Sequence, residues 1–171
     1  MSANTHNQLL TVSGAPEGYD ARLLAALLEK RGKPIVHVAR NDKRLEEMRR
    51  ALEFVAPGLP VFTFPAWDCL PYDRVSPNAD ISATRMALLA MLAHGFKGDF
   101  VLLTTVNAVT QRVPRRVLMR DAAFTATVGQ RIDEAALRAF LVRMGFTQAP
   151  TVTEPGDYAI RGGLIDVFPP G

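Results

Sequence analysis

The residues best placed to do chemistry are Ser13-Gly14-Ala15-Pro16-Glu17-Gly18-Tyr19-Asp20, a glycine-containing loop between a short apolar run and a helix-forming stretch. In that setting backbone N–H groups and the positive end of the following helix converge on one anion, most often a phosphate. The working pattern G-x-x-x-x-G-K-[ST] adds a lysine for the phosphates and a hydroxyl for magnesium. Here the glycines are present only in part, and Gly18 is followed by Tyr19 and Asp20. Pro16 removes a backbone donor, Glu17 brings negative charge where phosphate charge would lie, and Asp20 can occupy the helix N-terminus itself. The loop is therefore expected to be degenerate and to bind no ATP. An ordinary strand-to-helix turn carries the same expectation.

Other reactive residues are scattered. His6, His37 and His94 share no ligand spacing, and no metal site is expected. Cys69 has no histidine near it in sequence, and no serine sits in a G-x-S-x-G turn, so no catalytic residue is expected. Asp68 and Asp73 read as solvated loop carboxylates. The stretch from Trp67 to Tyr72 either stacks on a ligand such as a base or folds back over the sheet. Arg161, just before Gly162-Gly163, reads as an anchor for a protein partner or as a plain surface charge.

The elements that must position these residues alternate. Leu9–Val12 reads as a buried strand, followed by a helix from Tyr19 to Arg31 that stops at Gly32. Pro34–Ala39 is a second strand, and a helix capped by Asn41 or Asp42 carries Leu45, Met48, Leu52 and Val55 at helical spacing. Val61–Phe64 is a third strand. A proline-rich loop from Pro65 to about Asp80, a helix closed near Gly95 and a fourth strand, Phe100–Thr104, complete the pattern. Apolar strands alternating with helices imply a parallel sheet covered on both faces, so the fold class is α/β.

After Pro114 the pattern changes. Arg112, Arg115, Arg116 and Arg120 form a basic stretch with no further crossover helix of the same kind. Phe124–Val128 alternates like a half-buried strand, Asp133 caps a helix to Met144, and Gly162-Gly163 joins two strand-like runs between Asp157 and Phe168 into a hairpin. The division expected is a disordered tail over 1–8, an α/β domain over 9–120 and a small α+β domain over 121–171. The second has a thin core, as if truncated, which suggests a fragment of a longer protein.

Composition narrows the setting. The net charge of +3 comes from arginines interspersed with acids, a weak hint of nucleic-acid contact. No apolar stretch approaches the roughly 20 residues needed to span a bilayer, and the polar N-terminus lacks a secretory layout. The single cysteine excludes an internal disulfide. These features lead to an expected cytoplasmic location.

Several strings are far more specific than a glycine pattern: Phe64-Pro65-Ala66-Trp67-Asp68-Cys69-Leu70-Pro71-Tyr72-Asp73, Ser76-Pro77, Ile81-Ser82-Ala83-Thr84-Arg85, Gln111-Arg112-Val113 and Asp157 to Pro169. With them the chain resembles the N-terminal region of the bacterial transcription-repair coupling factors, over nearly its whole length past the tail. The resemblance implies a module similar to the excision-repair protein UvrB. That module comprises a RecA-like, P-loop NTPase-type domain with a decayed nucleotide loop (Gly14, Glu17, Gly18, Asp20), then the start of a UvrA-recruiting domain near residue 121. It implies a partner-contact role for Arg161; Phe168 matches too, with a core position as its competing reading. ATP and magnesium would act in motor domains elsewhere in the parent protein, and RNA polymerase and DNA would be met through other parts of it. UvrB itself, a nucleotide-dependent enzyme that binds damaged DNA, is the alternative. It needs an intact phosphate loop, and a DNA-clamping hairpin for which Pro65–Asp80 is too short.

Overall fold

The computed structural model describes residues 11–70, 72 and 74–169. Helix α1 (Tyr19–Arg31) starts after Gly18, whose φ of 80° suits a residue without a Cβ, and ends at Gly32. Strand β1 (Ile35–Ala39) leads into α2 (Asp42–Val55), where the Asn41 side chain accepts the Arg44 backbone N–H at 2.9 Å. Strand β2 (Val61–Phe64) is followed by the long loop and by α3 (Ala79–His94), capped by Asn78. Strand β3 (Val101–Thr105) runs on into the short helices α4 (Val106–Val109) and α5 (Arg116–Asp121).

The three strands pair in parallel in the order β1-β3-β2, with Val101 level with both Ile35 and Val61. Alternation along β3 then builds two cores. Val101 and Leu103 face α1 and α2 and pack in one cluster with Leu28, Leu45, Met48 and Leu52. Leu102 joins Phe62, Phe64 and Leu88 in the cluster under α3. A central strand covered on both faces has no solvent-facing side, which is why Phe100–Leu103 reads as an apolar run; Thr104 is buried as well, its hydroxyl donating to the Phe64 carbonyl at 3.0 Å. Coverage on the α3 side thins over β1, where Val36 and Val38 are 57% and 44% exposed.

The remaining residues form a second cluster. Helix α6 (Glu134–Arg143), capped by Asp133 through the Ala136 N–H, packs Leu137 and Leu141 on Tyr158, Phe146, Ile160 and Ile165. The last three strands are β4 (Thr147–Gln148), β5 (Asp157–Arg161) and β6 (Leu164–Val167). Strand β4 pairs in parallel with β5, and β5 is antiparallel to β6.

Two expected strands are corrected. For Leu9–Val12, Leu9 and Leu10 lie outside the described residues, as does the tail over 1–8, while Thr11 and Val12 are irregular and exposed. Phe124–Val128 is irregular as well. Phe124 spends its ring on Phe140, 5.6 Å between centroids, and Val128 is open to solvent in a turn. Alternation makes a strand only where a neighbour supplies a ladder, and neither segment has one among the described residues. The basic stretch also has a structural use. Arg116 donates to the Leu92 and Ala93 carbonyls, and Arg120 donates to Ala93 at 2.8 Å, so both satisfy the C-terminal carbonyls of α3.

Candidate functional site

The loop before α1 is filled by the protein's own charges. Asp20 accepts the Ala21 backbone N–H at 3.0 Å through one carboxylate oxygen and the Arg44 guanidinium at 2.8 Å through the other. Arg44 is bound in turn by Glu47 at 2.9 Å. The positive end of α1 thus already faces a carboxylate, and the nearby cation is already paired. The cleft beside Gly18 has a volume of about 80 Å³ and is lined by three carboxylates, Glu17, Asp20 and Glu47, against the one guanidinium of Arg44. A polyphosphate would meet net negative charge there. Gly14 and Glu17 are exposed. Behind this loop, burial holds the half-buried His37 below its ordinary pKa, with Asp20 opposing and Arg44 adding to the shift.

The aromatic loop divides. Its first half is tied down by Arg85, which is 1% exposed and lies between two rings, 4.2 Å from the Phe64 centroid and 4.3 Å from that of Trp67. The guanidinium donates to the Pro65 carbonyl and to Gln111 Oε1, and the Trp67 backbone N–H donates to the same oxygen at 2.9 Å. Burial lowers the Arg85 pKa, and the paired rings and carbonyls are what keep a cation tolerable at that depth. Leu70 and Tyr72 are exposed, Tyr72 with a φ of 73°. Folding back therefore holds for Trp67 and not for the other two. Asp68 closes the loop by accepting the Asn78 N–H; Asp73 and His6 lie outside the described residues. Among the described residues no cluster of metal-ligating side chains occurs.

The hairpin carries a second group of exposed side chains. Gly162 and Gly163 have φ of 53° and 88°, the two positive values of a two-residue turn that matches strand twist. Register sets the faces: Ile160 pairs with Ile165, and both pack toward α6 beside Tyr158. On the opposite face Arg161 pairs with Leu164, and Ala159 with Asp166. Phe168 continues that alternation, its N–H donating to the Asp157 carbonyl at 2.9 Å. Leu164 is 69% and Phe168 43% exposed, so Phe168 is not a core residue. Across this face Arg161 Nη2 donates to Asp166 Oδ2 at 2.7 Å.

Arg161 and Phe168, singled out from sequence, therefore share one side of the hairpin, on which both are exposed and Ala159 is buried. Leu164 and Asp166 belong there with them. The two-residue period counted outward from Gly162-Gly163 is the signal that would have found both. The face offers a forked donor flanked by apolar surface, a combination suited to holding a protein partner. It places no nucleophile, acid–base pair or metal ligand set together.

Residues 124–171, which contain α6 and the whole hairpin, match the family model of the UvrB interaction domain. The chain is 32% identical over 151 residues to the transcription-repair-coupling factor of Escherichia coli K12, covering 88% of this chain and 13% of that protein. Against that of Myxococcus xanthus the identity is 34% over 166 residues, covering 93% of this chain and 13% of the relative. For Mycobacterium bovis it is 30% over 182 residues, 99% of this chain and 15% of the relative. The chain thus spans only 13–15% of the length of these curated relatives.

Proposed function

We propose that this chain, which is related over most of its length to the transcription-repair-coupling factors, is a non-catalytic scaffold that recruits UvrA to nucleotide excision repair. The observation that carries the reading is the hairpin face of Arg161, Leu164, Asp166 and Phe168, which lies inside the stretch matching the UvrB interaction domain. An arginine fork beside exposed apolar side chains is the chemistry of an interface anchor.

The proposal extends to the rest of the chain. Residues 9–120 form a UvrB-like, RecA-like domain that keeps the platform and has lost the nucleotide, with Asp20 standing in for the anion. Residues 121–171 belong to the UvrA-recruiting domain. ATP and magnesium serve the parent protein's motor, which displaces stalled RNA polymerase from damaged DNA in the cytoplasm; polymerase and DNA are met through other parts of the parent. No helix among the described residues is long and apolar enough to cross a membrane.

The test is capture of purified UvrA on the immobilised chain. Binding that drops about tenfold or more on Arg161→Ala, with the fold unchanged, is expected. Binding indifferent to Arg161→Ala, or none at all, would overturn the assignment.

A further inference from the structure

We propose that Asp166 is a positioning residue: it holds the Arg161 guanidinium in the orientation that the partner reads and thereby sets the strength of recognition. The inference rests on the recruiting role proposed above and adds a residue to it. In the β5–β6 register Arg161 faces Leu164 and Ala159 faces Asp166, so Arg161 and Asp166 are diagonal neighbours on the outer face. Their bond, Nη2 to Oδ2 at 2.7 Å, joins side chains 57% and 48% exposed. A pair so open to water adds little to folding stability. Its effect falls on Arg161 itself, a long side chain with many rotamers, which the carboxylate biases toward the paired one. A partner then has less side-chain freedom to remove on binding.

The geometry also selects what the partner presents. Among the described residues the Arg161 guanidinium bonds through Nη2 alone, and a guanidinium has five N–H donors, so part of the fork stays open. Asp166 puts a negative charge beside that opening, which disfavours a second carboxylate and favours a neutral acceptor such as a backbone or amide carbonyl. Leu164 and Phe168 supply apolar surface on the same face, and a partner that covers them also excludes water from the ion pair. The matching patch on the partner is therefore a carbonyl acceptor beside an apolar pocket.

The experiment measures the affinity of purified UvrA for the 171-residue chain as wild type, Arg161→Ala, Asp166→Ala, Asp166→Glu and the double alanine variant, with the thermal midpoint of each. Arg161→Ala is expected to weaken binding about tenfold or more, and Asp166→Ala about three- to tenfold with an unchanged midpoint. Asp166→Ala should cost nothing further once Arg161 is gone, and Asp166→Glu should recover part of the loss. An Asp166→Ala variant that binds like the wild type overturns the positioning role. An equal cost with and without Arg161 does so too, because it makes Asp166 an independent contact. If Arg161→Ala itself binds like the wild type, the recruiting reading fails and takes this inference with it.

Discussion

At the residue scale, Asp20 engages two different donors through its two carboxylate oxygens. It accepts from the first turn of α1 and from Arg44, the two kinds of donor that an incoming phosphate would use. Asp20→Ala is expected to lower stability by about 0.3–1 kcal/mol, the range for a carboxylate at a helix N-terminus, read from urea unfolding midpoints. The same variant should still show no binding when titrated with ATP and magnesium, because Glu17 and Glu47 remain beside the cleft. Micromolar binding by the wild type, weakened by changing Gly14 or Gly18, would instead favour the UvrB-type reading. His37 carries a pH prediction. Its folded pKa lies below the ordinary 6.5, so the unfolded chain takes up its proton first as pH falls. The stability tied to the neutral imidazole is complete above that ordinary value and is lost as pH falls toward the folded one. His37→Gln should flatten the fall in unfolding midpoint between neutral and mildly acid pH; an unchanged slope would assign it to other groups.

At the scale of elements, Arg85 joins α3 to the loop after β2, and its replacement should be felt there first. Arg85→Ala leaves two rings without their cation and frees the Pro65 carbonyl and Gln111 from it, at a cost of about 2–4 kcal/mol. Trp67 is the chain's one tryptophan, so release of the loop would show as a red shift in its fluorescence. An unaltered spectrum would mean that the backbone bond to Gln111 suffices. Sequence made α1, α2, β2 and the hairpin legible because each has its own punctuation: Gly18 and Gly32, the Asn41 cap, the apolar block at Val61–Phe64, and Gly162-Gly163. Phe124–Val128 misled because alternation records which side chains seek cover, not whether a partner strand exists to provide it. The two-residue β4 and the short α5 leave too little periodicity to read. The Arg85 sandwich was illegible for another reason: it joins residues from three separate segments, Phe64–Trp67, α3 and Gln111.

At the scale of the whole molecule, part of the positive charge behind the net +3 is engaged within the fold. Arg49 and Arg50 pair along α2 with Glu46, whose carboxyl these two arginines pull down to about 2, and Arg49 also pairs with Glu53. Arg44 pairs with Asp20, Arg85 is buried, and Arg116 and Arg120 are spent on α3 carbonyls. These six of the sixteen arginines are therefore engaged within the fold, on α2, α3 and α5. The candidate site was half legible for a related reason. A lone arginine beside a turn is visible in sequence, whereas the carboxylate that holds it, five positions later, emerges only when the register is known.

The two glycines of the turn carry a consequence for assembly. Arg161, Leu164, Asp166 and Phe168 lie within eight consecutive residues, and their common face is fixed by a turn with no Cβ to obstruct it. Closing such a loop needs no distant part of the chain, and hairpins of this kind form in roughly 1–10 μs. The surface proposed for recognition is thus a local product, drawn up in a single short stretch of newly made polypeptide, whereas the parallel sheet must wait for strands more than sixty residues apart to meet.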